Sequence, residues 1–261
     1  MATFDRNNST RYGMAGTQAN AAAFDAGLRA YMLRVYNYMA IGVAITGVLA
    51  LLTSMMATTT DPSMAAAEMG NGTMLTSLGV ALYGSPLKWV VMLAPLGFVF
   101  FLSARINKMS ASSAQMTFWA FAALMGVSLS SIFIVYTGNS IARVFFISAA
   151  SFGALSLFGY TTKKDLSAWG SFLFMGLIGI IIASLVNLFL ASSALQFAIS
   201  VVGVLVFAGL TAYDTQQIKQ MYAAVDDSEV AGKKAIMGAL RLYLDFINLF
   251  IMLLSLFGNR D

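Results

Sequence analysis

The 261-residue chain contains no cysteine and no histidine. Without cysteine there are no disulfides, no thiolate metal ligands and no cysteine nucleophile. Without histidine, Ser-His and Cys-His catalysis and imidazole-ligated metals are excluded, as is the side chain whose ordinary pKa best suits a pH switch. Charge is scarce too: 10% of residues are charged, where about 25% is usual for a soluble domain. The formal net charge of +4 is too small for a nucleic-acid binder. Any switch near neutral pH must come from carboxylates altered by their surroundings.

What is abundant is apolar surface. Hydrophobic residues make up 59% of the chain, against roughly 45–50% in soluble proteins. So few charges cannot cover such a core with a wetted surface, and the chain reads as an all-α integral membrane protein. About 20 apolar residues cross a hydrocarbon layer as a helix. Runs of that kind fall at 36–57, 87–104, 115–135, 141–160, 168–190, 195–214 and 238–257, which predicts seven transmembrane helices. The runs are apolar on every face, which excludes the alternating strands of a membrane β-barrel. Gly176, Gly179, Gly203 and Gly209 suit close helix packing.

The first 24 residues carry Arg6 and Arg11 but no apolar core, so no cleavable signal is visible. Residues 1–34 read as a polar, flexible tail, followed by a transmembrane domain over 35–261. Alternate connections are basic. With the N-terminus in the cytoplasm, all of the 15 Lys and Arg residues except Lys88, Arg143 and Arg260 fall on the inner side, as the positive-inside rule requires. Within the outer connection 58–86, the apolar stretch 75–83 is too short to span and is expected to be interfacial or loosely ordered.

Ionisable groups inside a membrane are costly and mark functional sites by default. Two acids qualify: Asp214, near the end of the sixth span, and Asp245, within the seventh. At about 1.5 Å per residue, Asp245 lies roughly 10 Å in from the start of its run. The two fall at similar depth on consecutive antiparallel helices, where they are able to meet. Gln217 lies three residues beyond Asp214, while Arg241 and Asn248 lie four before and three after Asp245, on the same helical face. The plain alternative is that each acid is held by a local polar partner and only locks the bundle. Two like charges in a poorly solvated site cannot both ionise cheaply, and their titration belongs to the pair. A shared proton would join the helices; its loss would bring repulsion or a bound cation. The donors are oxygens, which suit Ca²⁺ rather than Zn²⁺ or Cu²⁺.

The segments Leu-Thr-Ala-Tyr-Asp-Thr-Gln-Gln-Ile-Lys, ending at Lys219, and Ala-Leu-Arg-Leu-Tyr-Leu-Asp-Phe-Ile-Asn-Leu-Phe, ending at Phe250, resemble the two C-terminal motifs of the Bax inhibitor-1 family, in its bacterial branch. That resemblance implies a bundle whose last helix is central. It also implies a pH-sensitive calcium leak in the bacterial inner membrane, with Asp214 and Asp245 as sensor and gate and a transient Ca²⁺ site. It further implies an arginine from the second helix beside the pair, matched here by Arg105. Some bacterial relatives modulate a membrane-anchored AAA protease, so a non-transporting regulator is the alternative reading.

An intramembrane aspartyl protease would also use two carboxylates, but needs Gly-x-Gly-Asp where this chain has Leu242, Tyr243, Leu244 and Asp245. A retinal receptor would need a lysine in 238–257, which holds none. The expectation is a non-enzyme without cofactor, with Ca²⁺ as permeant ion and the bilayer, Ca²⁺ and an AAA protease as its possible range of partners.

Overall fold

A computed structural model describes residues 6–69 and 72–259. Arg260 and the first five residues of the tail lie outside the described residues. Seven long helices follow in order: α1 (Arg6–Ala57), α2 (Leu87–Arg105), α3 (Ala111–Leu129, continued by the turn Ile132–Val135), α4 (Gly138–Thr161), α5 (Ser167–Leu190), α6 (Ser193–Gln220) and α7 (Ser228–Phe257). All seven contain a stretch long and apolar enough to cross a membrane. The chain is an all-α membrane protein with seven candidate spans.

Three helix ends differ from the sequence expectation. α1 reaches back through most of the supposed polar tail, and Leu28, Tyr31 and Met32 there are buried. Its early turns pack on the α6–α7 connection, where the Phe24 and Tyr31 rings lie 5.1 and 5.7 Å from that of Tyr222. α6 runs on to Gln220 and α7 begins at Ser228. Asp214 therefore lies six residues, less than two turns, inside the end of its helix. Hydropathy ends a span where polar residues begin, but these polar residues are bonded to neighbouring elements and the helices continue.

Caps explain where the helices start. The Asp227 carboxylate accepts from the Val230 amide at 2.7 Å, a conventional N-cap for α7. One turn on, Glu229 accepts from the Ala111 amide at 2.7 Å and so closes the first turn of α3 as well. Asp226 pairs with Lys234 at 2.6 Å. The acids of the α6–α7 connection are thereby committed to anchoring.

α7 is the centre of the bundle, with 56% of its most apolar window buried against 11% for α2 and α5. It packs mainly against α1, α3, α4 and α6, while α2 leans on α3 and α5 on α6. The two outer helices turn large apolar side chains outward, including Phe100, Phe174 and Phe189. In a bilayer that exposure is unstrained, because lipid tails are as apolar as the side chains; association rests on close packing and interhelical hydrogen bonds. The Tyr243 ring of α7 meets Phe118 and Phe121 of α3 edge-on, at 5.8 and 5.5 Å. Its hydroxyl lies 2.6 Å from Thr46 Oγ1, which itself donates to the Ala122 carbonyl at 2.8 Å. Thr46 has only one proton to give, so Tyr243 donates to it.

The connection 58–86 is more ordered than expected. Strands β1 (Thr58–Thr59), β2 (Ala67–Glu68) and β3 (Met74–Leu75) form a small antiparallel sheet in the order β1-β3-β2. The stretch 75–83 buries Leu75 and coils into short helical turns, and the Tyr83 hydroxyl lies 2.7 Å from Ser130 Oγ at the end of α3.

Of the glycines expected at close contacts, Gly176 faces Val206, Gly203 faces Met252 and Gly209 faces Leu173; Gly179 faces nothing within 4 Å. The tightest backbone approach between two spans is elsewhere, where Gly159 of α4 lies on the Ala212 carbonyl of α6 with no room for a Cβ. Overfilling such a contact costs about 1–3 kcal/mol. Gly159→Leu is expected to lower the thermal unfolding midpoint of the purified protein in detergent by several degrees, while Gly179→Leu leaves it unchanged. Equal midpoints for the two variants would refute the close approach.

Candidate functional site

The segment from Thr215 to Lys219 clamps α6 to the α4–α5 connection. Thr215 donates to its own helix at the Thr211 carbonyl (2.7 Å) and lies 2.8 Å from Ser156 Oγ of α4, which in turn lies 2.7 Å from the Tyr36 hydroxyl of α1. Since the Thr215 proton is already used, Ser156 donates to Thr215 and Tyr36 to Ser156. The buried Gln216 grips the connection at both ends of its amide: Nε2 donates to the Lys164 carbonyl and Oε1 accepts from the Leu166 amide, each at 2.8 Å. Gln217 donates to Ser167 Oγ at 3.2 Å. Lys219 donates to the last-turn carbonyl of Tyr160 at 2.9 Å and stacks on that residue's ring. Nearby, Asp165 accepts from the Ser167 amide, and these hydrogen bonds hold its carboxyl below the usual range.

This clamp holds the turn that carries Asp214. The carboxyls of Asp214 and Asp245 lie within hydrogen-bonding reach of each other across the α6–α7 contact. Asp214 is half-buried, whereas Asp245 is only 5% exposed and its Oδ2 meets no donor among the described residues. Two carboxylates can only accept. A proton held between them is the donor that this arrangement calls for.

The pair opens onto a cavity of about 1080 Å³ bounded by α2, α5, α6 and α7. Its α5 wall runs from Gly170 to Leu188, roughly 27 Å at 1.5 Å per residue, close to the hydrocarbon thickness of a bilayer. The walls are apolar for most of that length, with polar groups gathered at the end bearing Lys163, Lys164 and Lys219. Asn248 lines it there; its amide nitrogen donates to the Leu244 carbonyl at 2.8 Å, leaving Oδ1 as a further oxygen acceptor. Arg241 lines the same end, with its charge acting on both carboxyls.

The sequence candidates therefore separate. Asp214, Asp245, Arg241 and Asn248 come together. Gln217 does not support the pair but ties α6 to α5. Arg105, the last residue of α2, is exposed over the Phe101 ring at 5.8 Å and does not line the cavity; α2 packs chiefly on α3, which keeps its last turn apart. The cation beside the carboxyls, Arg241, comes from α7, the helix of Asp245. Tyr243, two residues from Asp245 and so on nearly the opposite side of α7, belongs to the core, while Tyr213 lines the cavity. No group of three or more acidic side chains gathers among the described residues, so a cation here would rely on two carboxyls, Asn248 and water. The role of Gln216 escaped the sequence reading. Its only signal was a glutamine beside a span, and its partners are backbone groups 50 and 52 residues away.

Seven membrane helices around a central last helix that brings a paired carboxyl site to a long crevice define the class. The chain belongs to the Bax inhibitor-1 family: residues 28–261 match the family described as "Inhibitor of apoptosis-promoting Bax1". It is 49% identical over 237 residues to the inner membrane protein YbhL of Escherichia coli (strain K12), covering 90% of this chain and 94% of that protein. It is 47% identical over 244 residues to RP147 of Rickettsia prowazekii (strain Madrid E), covering 94% and 95%. A Caulobacter vibrioides relative is 46% identical over 245 residues, covering 91% and 92%.

Removing the Gln216 amide takes the partners from the part-buried Leu166 N–H and Lys164 carbonyl, at about 0.5–1.5 kcal/mol for each hydrogen bond. Gln216→Ala is expected to speed hydrogen exchange of the Leu166 amide at least tenfold, with the exchange of α7 amides unchanged. Unaltered exchange at Leu166 would show that the clamp does not hold the connection.

Proposed function

We propose that the protein is a passive Ca²⁺ leak of the bacterial inner membrane, controlled by protonation of the Asp214–Asp245 pair. The observation that carries the reading is the meeting of two carboxyls from consecutive helices, one of them buried, at the head of a crevice about as long as a bilayer is thick. The membrane assignment draws on the likeness to YbhL, named as an inner membrane protein.

With one proton between them, the carboxyls bind α6 to α7 and present little net negative charge. Loss of that proton leaves two like charges in a poorly solvated site, which either part or take up a cation. Ca²⁺ suits the donors present, namely carboxyl and amide oxygens with room for water. Arg241 offsets the negative charge at the mouth, so an ion occupies the site briefly and moves on. Flux then rises with pH, because deprotonation creates the charged site, and falls as acid restores the shared proton.

The test is Ca²⁺ uptake by proteoliposomes of the purified protein between about pH 5 and 8, a range spanning ordinary and strongly altered carboxyls. Wild-type flux is expected to rise across this range. Asp214→Asn and Asp245→Asn each remove the shared titration and are expected to flatten the profile. Flux no greater than in empty liposomes at every pH would overturn the leak and turn attention to the alternative, a regulator of a membrane-anchored AAA protease.

A further inference from the structure

A second cavity lies on the other side of the bundle, between α1 and α4, with a volume of about 720 Å³. These two helices do not pack closely on each other; each instead packs on α7. Beside the groove they are joined by the Tyr36–Ser156 hydrogen bond. Along the groove the walls are apolar, among them Met32, Leu33, Phe152 and Leu157. Gly153 lines it too, and a Cβ there would meet nothing within 4 Å, so the groove is open at that point.

One end is different. Arg29 lines the groove together with Tyr160, at the same end of the bundle as Lys163, Lys164 and Lys219. Arg29 is exposed and has no carboxylate partner among the described residues. Lys219, whose ammonium lies 5.0 Å from the centre of the Tyr160 ring, adds a second positive charge nearby. Tyrosines and basic side chains at such a level sit where lipid headgroups lie. From Arg29 to Ala40 the groove follows α1 for roughly 16 Å at about 1.5 Å per residue, close to the half of a hydrocarbon core of about 30 Å that one leaflet supplies.

We infer that the α1–α4 groove is a binding site for an anionic phospholipid, with an acyl chain lying along Met32, Leu33, Phe152 and Leu157 and the headgroup phosphate on Arg29. The groove combines the length of one leaflet, an apolar wall and an unpaired cation at headgroup depth. Guanidinium suits phosphate because its fork of donors matches two oxygens at once. A zwitterionic lipid would fit the groove equally well but would bring its own cation to Arg29.

The experiment is native mass spectrometry of the full-length protein in detergent, titrated with phosphatidylglycerol or phosphatidylcholine. Wild type is expected to hold one phosphatidylglycerol more tightly than phosphatidylcholine, by about five-fold, the contribution of one basic residue at an anionic surface. Arg29→Gln should remove that preference. Gly153→Phe, which fills the groove, should weaken retention of both lipids, and its unfolding midpoint without added lipid should match wild type. Arg34→Gln, an exposed basic residue outside the groove, should keep the wild-type preference. Equal retention of the two lipids by wild type, an unchanged preference in Arg29→Gln, an equal loss in Arg34→Gln, or competition by free glycerol phosphate would each overturn the site.

Discussion

Inside a bilayer there is no water to satisfy a polar group, so every hydrogen-bonding atom carried into the bundle must find its partner within the protein. Most of this structure follows from that constraint. Thr211 and Thr215 return their hydroxyl protons to their own helix, the Tyr36–Ser156–Thr215 chain crosses three helices, and Tyr243 spends its proton on Thr46. Ser200 and Ser255 do the same between α6 and α7 at 2.9 Å, with Gln196 beside them. Against that background the Tyr31 hydroxyl, the Trp119 ring nitrogen and one Asp245 oxygen are the buried side-chain atoms without a partner among the described residues, and only the last belongs to a carboxyl. A second carboxyl within reach turns that oxygen into a place for a proton or a cation.

The bundle is organised so that the pair is held from both sides. α7 is fixed by its packing on four helices, by the Asp227 cap, and by Glu229, which reaches across to the Ala111 amide of α3. α6 is fixed by the row from Thr215 to Lys219, in which four side chains bind the end of α4 and the connection into α5. The motif around Asp214 is thus mostly a device for placing one carboxyl, since of its residues Leu210, Tyr213 and Asp214 line the cavity and those from Thr215 to Lys219 do not. The two least enclosed spans, α2 and α5, flank the same cavity and lack broad contact with α7.

The two cavities differ in kind. The one holding the carboxyls is bounded by four helices and ends in acids opposed by Arg241. The α1–α4 groove is apolar and ends in Arg29 and Tyr160, with Lys219 nearby. One is suited to a small cation and the other to an amphiphile with a negative head, and they lie on different sides of the α6–α7 pair. Charge at the same end of the bundle is therefore arranged in two chemically distinct ways, acids opposed by Arg241 in one cavity and Arg29 without an acid in the other.

The number of spans, the all-helical class and the singling out of Asp214 and Asp245 were already present in the sequence. Those features follow from one-dimensional quantities: the length of apolar runs and the cost of a carboxyl within them. Helix ends were less legible, because hydropathy falls where polar residues begin, whereas α6 and α7 continue for as long as partners such as Lys164, Leu166 and Ala111 satisfy those residues. The partner of each polar side chain was not legible at all. Gln217 and Arg105 looked suited to the carboxyls by spacing and by family likeness, yet one binds Ser167 and the other lies over Phe101. Spacing along a helix specifies a face, but which neighbour that face meets depends on crossing angles and on close approaches such as Gly159 against Ala212. Those are settled only when all seven helices pack together.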